Sequence, residues 1–374
     1  MSKSEQFIEE LNKAGVDFFV GVPDSYLNGF CSCLSGMLDN KKHLIAANEG
    51  NAVAIASGHY FATGKIPLVY MQNSGIGNAV NPLLSLVDKN VYSVPMVILV
   101  GWRGEPKTND WAQHKRQGEI TTKLFEDMEI PYEIVSEDSD LNVLVNKAVK
   151  TASEEKTPFV LIARKGVFTE KKKNLVNESY SMSREEAIEI ILQEMPDNTF
   201  YTATTGRATR ELYYLREKRK EGHNHDFLNV GSMGHASSVA LGLAIADKNK
   251  KVVCLDGDSA AIMHMGAFTM VSKMDVPNFI HIVLNNGAHE SVGGELSAGF
   301  LIDFTKIAKA SGYETLDKPV TNEMKLREAI RKLKTADKAS FIDVRIHQGI
   351  SPELSSLKVS HKKLIKEFMD EIQK

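Results

Sequence analysis

The chain is short of cysteine: three residues, Cys31, Cys33 and Cys254, in 374. That number excludes a disulfide scaffold, and Cys31-Ser32-Cys33 is too closely spaced, with no second Cys/His pair, for a standard zinc site. Charge of one sign is also missing. Lys+Arg 45 against Asp+Glu 48 leaves a formal charge of -3, which argues against a nucleic-acid partner. No apolar run approaches the ~18–20 residues that span a bilayer, so no membrane role is expected. The opening MSKSEQFIEELNKAG is polar and amphipathic without an apolar signal core, and a cytoplasmic location is the expectation. What is present is ordinary globular material, 43% hydrophobic and 25% charged. At ~150 residues per domain the length fits two large domains or three small ones.

Short β-branched runs alternate with amphipathic stretches throughout. Strands are expected at Asp17–Val20, His43–Ala46, Pro67–Met71, Met96–Val100 and Phe159–Ala163, with helices at Glu5–Ala14, Ala52–Thr63 and Ala79–Lys89. The rhythm breaks in GVFTEKKKNLVNESYSMS, then resumes with helices at Arg184–Glu194, near Arg210–Glu217, and at Ala236–Ala246. Further strands are expected at Phe200–Ala203, Lys251–Leu255, Phe279–Leu284 and Ser340–Arg345. The closing helix His361–Ile372 carries Leu364, Phe368 and Ile372 on one stripe, which predicts packing onto the body. The reading is α/β: two domains, 1–170 and 184–374, joined by a linker at 171–183, each a parallel sheet flanked by helices. No sequence repeat relates the halves.

In the second half, an apolar strand ends in Asp256-Gly257-Asp258-Ser259, and another ends in Asn285-Asn286-Gly287. Asp258 and Asn286 lie 286 − 258 = 28 positions apart, both at the carboxyl edge of a parallel sheet, where such folds bind ligands. A carboxylate, an amide oxygen and a nearby carbonyl form a hard-oxygen set suited to Mg²⁺ with a diphosphate. The small residues Ser259, Ala260 and Ala261 let a helix N-terminus approach phosphate closely. Either dipeptide alone reads as an ordinary turn; together they favour a metal–diphosphate site.

These residues resemble the GDG…NN signature of the thiamine diphosphate enzymes, with Ser259 in place of the third glycine. The resemblance implies two thiamine diphosphate-binding domains and no middle domain. It implies metal ligation by Asp258, Asn286 and the Ala288 carbonyl, with Asn285 an open alternative to Asn286. Gly257, Ser259 and Ala260 then border the diphosphate. In NVGSMGHASSVALGLA it places Met233 as the wedge beneath the cofactor rings and the Gly231 carbonyl at the 4′-amino group. Glu49, in HLIAANEGNAVAIASG, matches the glutamate that partners the aminopyrimidine, and Gln72 and Asn73 match cofactor-side residues. Gly75-Ile76-Gly77-Asn78-Ala79-Val80 is only an incomplete dinucleotide fingerprint.

Over its whole length the chain resembles the phosphonopyruvate decarboxylase family, through GVPDS, NEGNAVAIASG, AQHKRQGEIT, TTGRATRELY, GSMGHASS and NNGAHESVGG. The family removes CO₂ from 3-phosphonopyruvate to give phosphonoacetaldehyde, on the way to compounds such as 2-aminoethylphosphonate. Asp24 and His114 are the expected pocket acids. Asp24, Ser25, Arg103, His114, Arg116 and Gln117 are the expected substrate contacts, the last four from the 101–118 stretch, read as a cationic loop. The resemblance implies a homo-oligomer with the active site between subunits. A sulfopyruvate decarboxylase is the near alternative, disfavoured by the fused chain and the GAHES run. An acetolactate-type enzyme would need a middle domain, and an NAD-linked dehydrogenase a complete fingerprint. A non-catalytic nucleotide-sensing or scaffold protein is the alternative of a different class.

Overall fold

The computed structural model describes residues 1–39, 41–168, 179–349, 354 and 357–374. The chain divides into two compact units. One comprises Met1–Asn174 with His289–Glu295, the other Leu175–Ala288 with Leu296–Lys374. Most of the expected linker, 171–178, lies outside the described residues; 179–183 carry no regular structure and end in Ser183, which caps the next helix.

The first unit holds β1 (Phe19–Gly21), β2 (His43–Ile45), β3 (Leu68–Gln72), β4 (Met96–Gly101), β5 (Tyr132–Val135) and β6 (Pro158–Ala163). All pairings are parallel and the order is β2-β1-β3-β4-β6-β5. Its helices are α1 (Lys3–Lys13), α2 (Asn28–Met37), α3 (Glu49–Thr63), α4 (Ile76–Ser85), α5 (Ala112–Asp127) and α6 (Leu141–Glu155). Fully buried strand residues feed a core on each face: Phe19, Tyr70 and Leu99 on one, Val20, Val69 and Ile98 on the other. Burial on both faces is why these strands read as continuous apolar runs rather than alternating ones.

The second unit holds β7 (Phe200–Ala203), β8 (Asp226–Leu228), β9 (Val252–Gly257), β10 (Phe279–Asn285), β11 (Glu314–Thr315) and β12 (Ser340–Arg345). The order is β11-β12-β10-β9-β7-β8, again all parallel. Its helices are α7 (Arg184–Glu194), α8 (Arg207–Lys218), α9 (Ala236–Ala246), α10 (Asp258–Met263), α11 (Phe304–Ala310), α12 (Glu323–Leu333) and α13 (His361–Ile372). On α13, Leu364 and Phe368 are buried, and Phe368 packs edge-on against Phe200. The closing helix therefore packs onto the body, as its stripe predicts.

Counted from its own first strand, each sheet has the same order, second-first-third-fourth-sixth-fifth. The halves are thus one architecture used twice, although no sequence repeat is visible. In each sheet the order reverses between the first and third strands, which opens a crevice at their carboxyl ends. The residues of interest follow from that crevice: Asp24 after β1 and Gln72 ending β3 in one unit, Thr204 after β7 and Asp258 after β9 in the other.

Candidate active site

Glu49 opens α3, whose N-cap Asn48 accepts the Asn51 N–H at 2.9 Å. The carboxyl is buried, and its Oε2 accepts from Asn78 Nδ2 at 2.7 Å. Burial pushes its proton affinity up, opposed chiefly by the Asn78 bond. A Cβ on Gly75 would lie 2.2 Å from Glu49 Oε1, so the carboxyl occupies the space that this glycine leaves free. The first glycine of the incomplete fingerprint therefore serves Glu49.

Beside it, the end of β3 is braced. Gln72 Nε2 donates to Ser74 Oγ at 2.6 Å. Asn73 Nδ2 donates to the Arg103 carbonyl at 2.7 Å and to Thr121 Oγ1 at 2.9 Å, and its Oδ1 accepts the Arg103 N–H at 3.1 Å. Asn73 thus ties β3 to the segment after β4 and to α5.

Asp24 is fully buried and pushed up to about 6 by that burial, opposed by the nearby Arg103 charge. Its Oδ2 accepts the Tyr26 N–H at 3.1 Å, and a Cβ on Gly101 would come within 2.0 Å of the same oxygen. The stretch after β4 is not all loop: His114, Lys115, Arg116 and Gln117 lie in the first two turns of α5. Its start is folded back tightly, with a Cβ on Gly118 only 1.7 Å from the Gly104 carbonyl oxygen and Trp102 Nε1 donating to the Gly118 carbonyl at 3.0 Å. His114 is half-buried and its basicity is lowered by burial and the Arg103 charge, and its buried Nδ1 has no hydrogen-bond partner among the described residues. Arg116 projects outward and pairs with Glu119 at 3.2 Å.

In the second unit Asp258 is the first residue of α10. It is buried, accepts from the Ser297 hydroxyl, and burial lifts it to about 6. The neighbouring Asp256 turns away: its Oδ2 sits 3.2 Å from His281 Nε2, both side chains fully buried. Asn285 Nδ2 donates to the Gly299 carbonyl at 2.8 Å and to Asp343 Oδ1 at 3.2 Å. Arg345 Nη1 donates to the same Gly299 carbonyl at 3.0 Å and pairs with Asp343 at 2.9 Å. A Cβ on Gly299 would meet Asp258 Oδ2 at 2.4 Å and Asn285 Oδ1 at 2.7 Å. Asn286 Oδ1 accepts the Ala288 N–H at 3.1 Å. Asp258, Asn285, Asn286 and Ala288 are thus gathered at the ends of β9 and β10, with Ser297–Phe300 packed over them.

Two hydroxyls here, Ser259 Oγ and Thr204 Oγ1, are buried without a hydrogen-bond partner among the described residues. Buried hydroxyls without partners, close to the Asp258 carboxylate, fit a diphosphate with Mg²⁺. After β8, Gly231 N–H reaches Asn229 Oδ1 at 3.2 Å, and Ser232 adopts φ 47. Gly234 packs where a Cβ would lie 2.6 Å from the His264 ring and 3.1 Å from the Ala260 carbonyl oxygen. The Met233 turn is thereby held against α10. Sequence reasoning missed Asn78, Thr204, Asp110, Ser297 and Gly299. Asn78, in the Gly75–Val80 fingerprint, Thr204, in the TTGRATRELY run, and Asp110, in the 101–118 stretch, stood within segments already singled out.

The thiamine pyrophosphate enzyme family's N-terminal TPP binding domain matches residues 1–125 and its C-terminal TPP binding domain residues 204–344. A phosphonopyruvate decarboxylase of Streptomyces viridochromogenes is 27% identical, covering 98% of this chain and 94% of its own. A sulfopyruvate decarboxylase of Methanosarcina acetivorans is 28% identical over 93% of this chain and 92% of its own. The sulfopyruvate decarboxylase subunit alpha of Methanococcus maripaludis is 36% identical over 35% of this chain and 76% of its own. The chain belongs to the thiamine pyrophosphate enzymes. Within that family it is a decarboxylase, a carboxy-lyase, related to those acting on phosphonopyruvate and sulfopyruvate. The Methanosarcina protein spans both halves of this chain, so a fused chain does not separate the two substrates. Among the described residues no helix is long and apolar enough to cross a membrane.

Proposed function

We propose that the protein decarboxylates 3-phosphonopyruvate to phosphonoacetaldehyde and CO₂ with thiamine diphosphate and Mg²⁺, as a step of phosphonate biosynthesis. In this reading residues 1–170 form the pyrimidine-binding domain and 184–374 the diphosphate-binding domain. Asp258, Asn286 and the Ala288 carbonyl hold the metal. Asn285, whose amide is engaged by Gly299 and Asp343, fixes the strand end. Ser259 and Thr204 supply hydroxyls to phosphate oxygens, and Met233 supports the cofactor rings.

Bound thiamine diphosphate supplies the nucleophilic carbon and the electron sink that a 2-oxo acid needs to lose CO₂. The chain's own groups manage protons and charge around it. Glu49, whose proton affinity burial raises against the opposing Asn78 bond, is the buried carboxyl that exchanges a proton with the aminopyrimidine. Asp24, at about 6, carries a proton for part of the time near neutrality and can give it to the product carbon. His114, its basicity lowered by burial, is the second proton donor or acceptor, with Gln117 one turn along α5.

The observation that carries the substrate reading is the half-buried Arg103 guanidinium beside Ser25 and Asp24, a cation at the same strand ends as the proton-carrying acid. Two-domain similarity over 98% of the chain supports it. We also infer a homo-oligomer with the active site completed between subunits. α3 and α9 are apolar nearly all round, yet Ile55, Phe61, Val239 and Ile245 are exposed, and such helices are normally buried. The test is steady-state kinetics with cofactor and Mg²⁺ on phosphonopyruvate, sulfopyruvate and pyruvate. The highest kcat/KM is expected for phosphonopyruvate. A preference for sulfopyruvate overturns the substrate assignment, and turnover of none overturns the reaction.

A further inference from the structure

Arg103 and Asp110 form a bidentate pair: Nε donates to Oδ2 at 2.8 Å and Nη2 to Oδ1 at 2.6 Å. The aspartate side chain is 3% exposed and the arginine 15%. Asp110 also accepts the backbone N–H groups of Gly104 at 2.9 Å and Trp111 at 2.7 Å, and the Tyr26 hydroxyl at 3.2 Å. Its carboxyl is held well below the usual range by Arg103 and these donors, against the cost of burial, so it is always ionised near neutrality. The guanidinium lies 4.8 Å over the Tyr26 ring, and its Nη1 donates to Ser25 Oγ at 2.8 Å.

Guanidinium has five N–H donors in a fixed plane. Asp110 takes the side of the fork, through Nε and Nη2. Ser25 takes one N–H on Nη1, which leaves one on each terminal nitrogen at the outer edge. That edge is the one with which arginine receives a tetrahedral or planar anion bidentately. A loop staple alone would need only the side-on pair. Here the same arginine also continues into Ser25, whose neighbour Asp24 is the buried acid.

We propose that Asp110 is a positioning residue that holds Arg103 side-on, so that the outer edge of its guanidinium receives the distal anionic group of a 2-oxo acid. This rests on the decarboxylase reading above. Ser25 Oγ accepts from Arg103 and its hydroxyl is directed to Asp24 Oδ1 at 3.5 Å, so it links the arginine to the buried acid. Lysine in place of Arg103 would keep the charge and lose the fork.

The experiment compares Asp110→Asn and Arg103→Lys with the parent, each as holoenzyme. Both should raise KM for phosphonopyruvate about tenfold or more, as expected for loss of an oriented charge-assisted pair, with kcat changed far less. Selectivity for phosphonopyruvate over pyruvate, which has no distal anion, should fall about tenfold or more by the same reasoning. Inhibition by methylphosphonate should weaken in parallel, while thiamine diphosphate affinity stays as in the parent. Equal KM changes for both substrates, or none, would overturn the proposal. If Asp110→Asn does not fold, Arg103→Lys and methylphosphonate calorimetry on the parent and that variant still decide it. A parent without any preference for the distal anion would instead overturn the substrate reading.

Discussion

Replacing Gly75 by alanine tests the placement of Glu49 without touching either functional group. Gly75 has φ -77 and ψ -13, a conformation alanine adopts freely, so the perturbation is purely steric. The added Cβ would lie 2.2, 2.4 and 2.5 Å from Oε1, Cδ and Cγ of Glu49. Restoring ordinary contact, about 3.5 Å between carbon atoms, requires the carboxyl to retreat by roughly 1 Å. The Asn78 bond, now 2.7 Å, then lengthens beyond the hydrogen-bond range of about 3.2 Å. Overpacking costs about 1–3 kcal/mol, and a misplacement of about 1 Å can cost roughly 100-fold in rate. The assay is kcat at saturating cofactor and substrate, with Tm measured on the same samples. A kcat near one hundredth of the parent with a Tm loss of only a few degrees is expected. Parental kcat in a folded Gly75→Ala protein would refute the role assigned to Glu49.

Asp24 is raised in the folded state, so its stability contribution is lost as pH rises from the unfolded value toward about 6. Asp24→Asn should therefore raise Tm at pH 7 but not at pH 4, by up to about 3 kcal/mol of stability, while kcat falls; melting curves across that range check the sign. Ser259 Oγ has no hydrogen-bond partner among the described residues, so Ser259→Ala should leave the cofactor-free Tm unchanged or higher and weaken thiamine diphosphate binding severalfold, read by fluorescence titration. Phe368→Ala removes a buried ring packed on Phe200 and Phe227 and should cost about 3–5 kcal/mol in denaturant unfolding, with little change in KM.

Elements with local signals were legible. α7 runs Arg184–Glu194 as expected because Ser183 and Glu186 form a capping box that marks its start. β7, α9, β12 and α13 likewise fall on the expected residues. α5 was hidden because its opening, Ala112–Gln117, is polar and only Gly118, Thr121 and Phe125 are buried. The repeated strand order was illegible for a different reason: it is a property of pairing, and two unrelated apolar strings satisfy it equally well. At the site, Asp258 and Asn286 could be singled out because each directly follows a strand within a short motif. Ser297 lies 39 positions from Asp258, and only the path of the chain after β10 brings its hydroxyl there. The Arg103–Asp110 fork has the same character, because spacing of seven residues carries no sign of which way a guanidinium faces.

The central claim, cofactor-dependent removal of the carboxyl group from a 2-oxo acid with a distal phosphonate, is tested most directly by following the products themselves. Phosphonopyruvate labelled with ¹³C at its carboxyl carbon, incubated with the protein, thiamine diphosphate and Mg²⁺, should yield labelled CO₂ together with phosphonoacetaldehyde in the ³¹P spectrum. Both signals should depend on the cofactor and disappear in Glu49→Gln. Unchanged phosphonopyruvate, or labelled CO₂ at the same rate without thiamine diphosphate, would contradict the account.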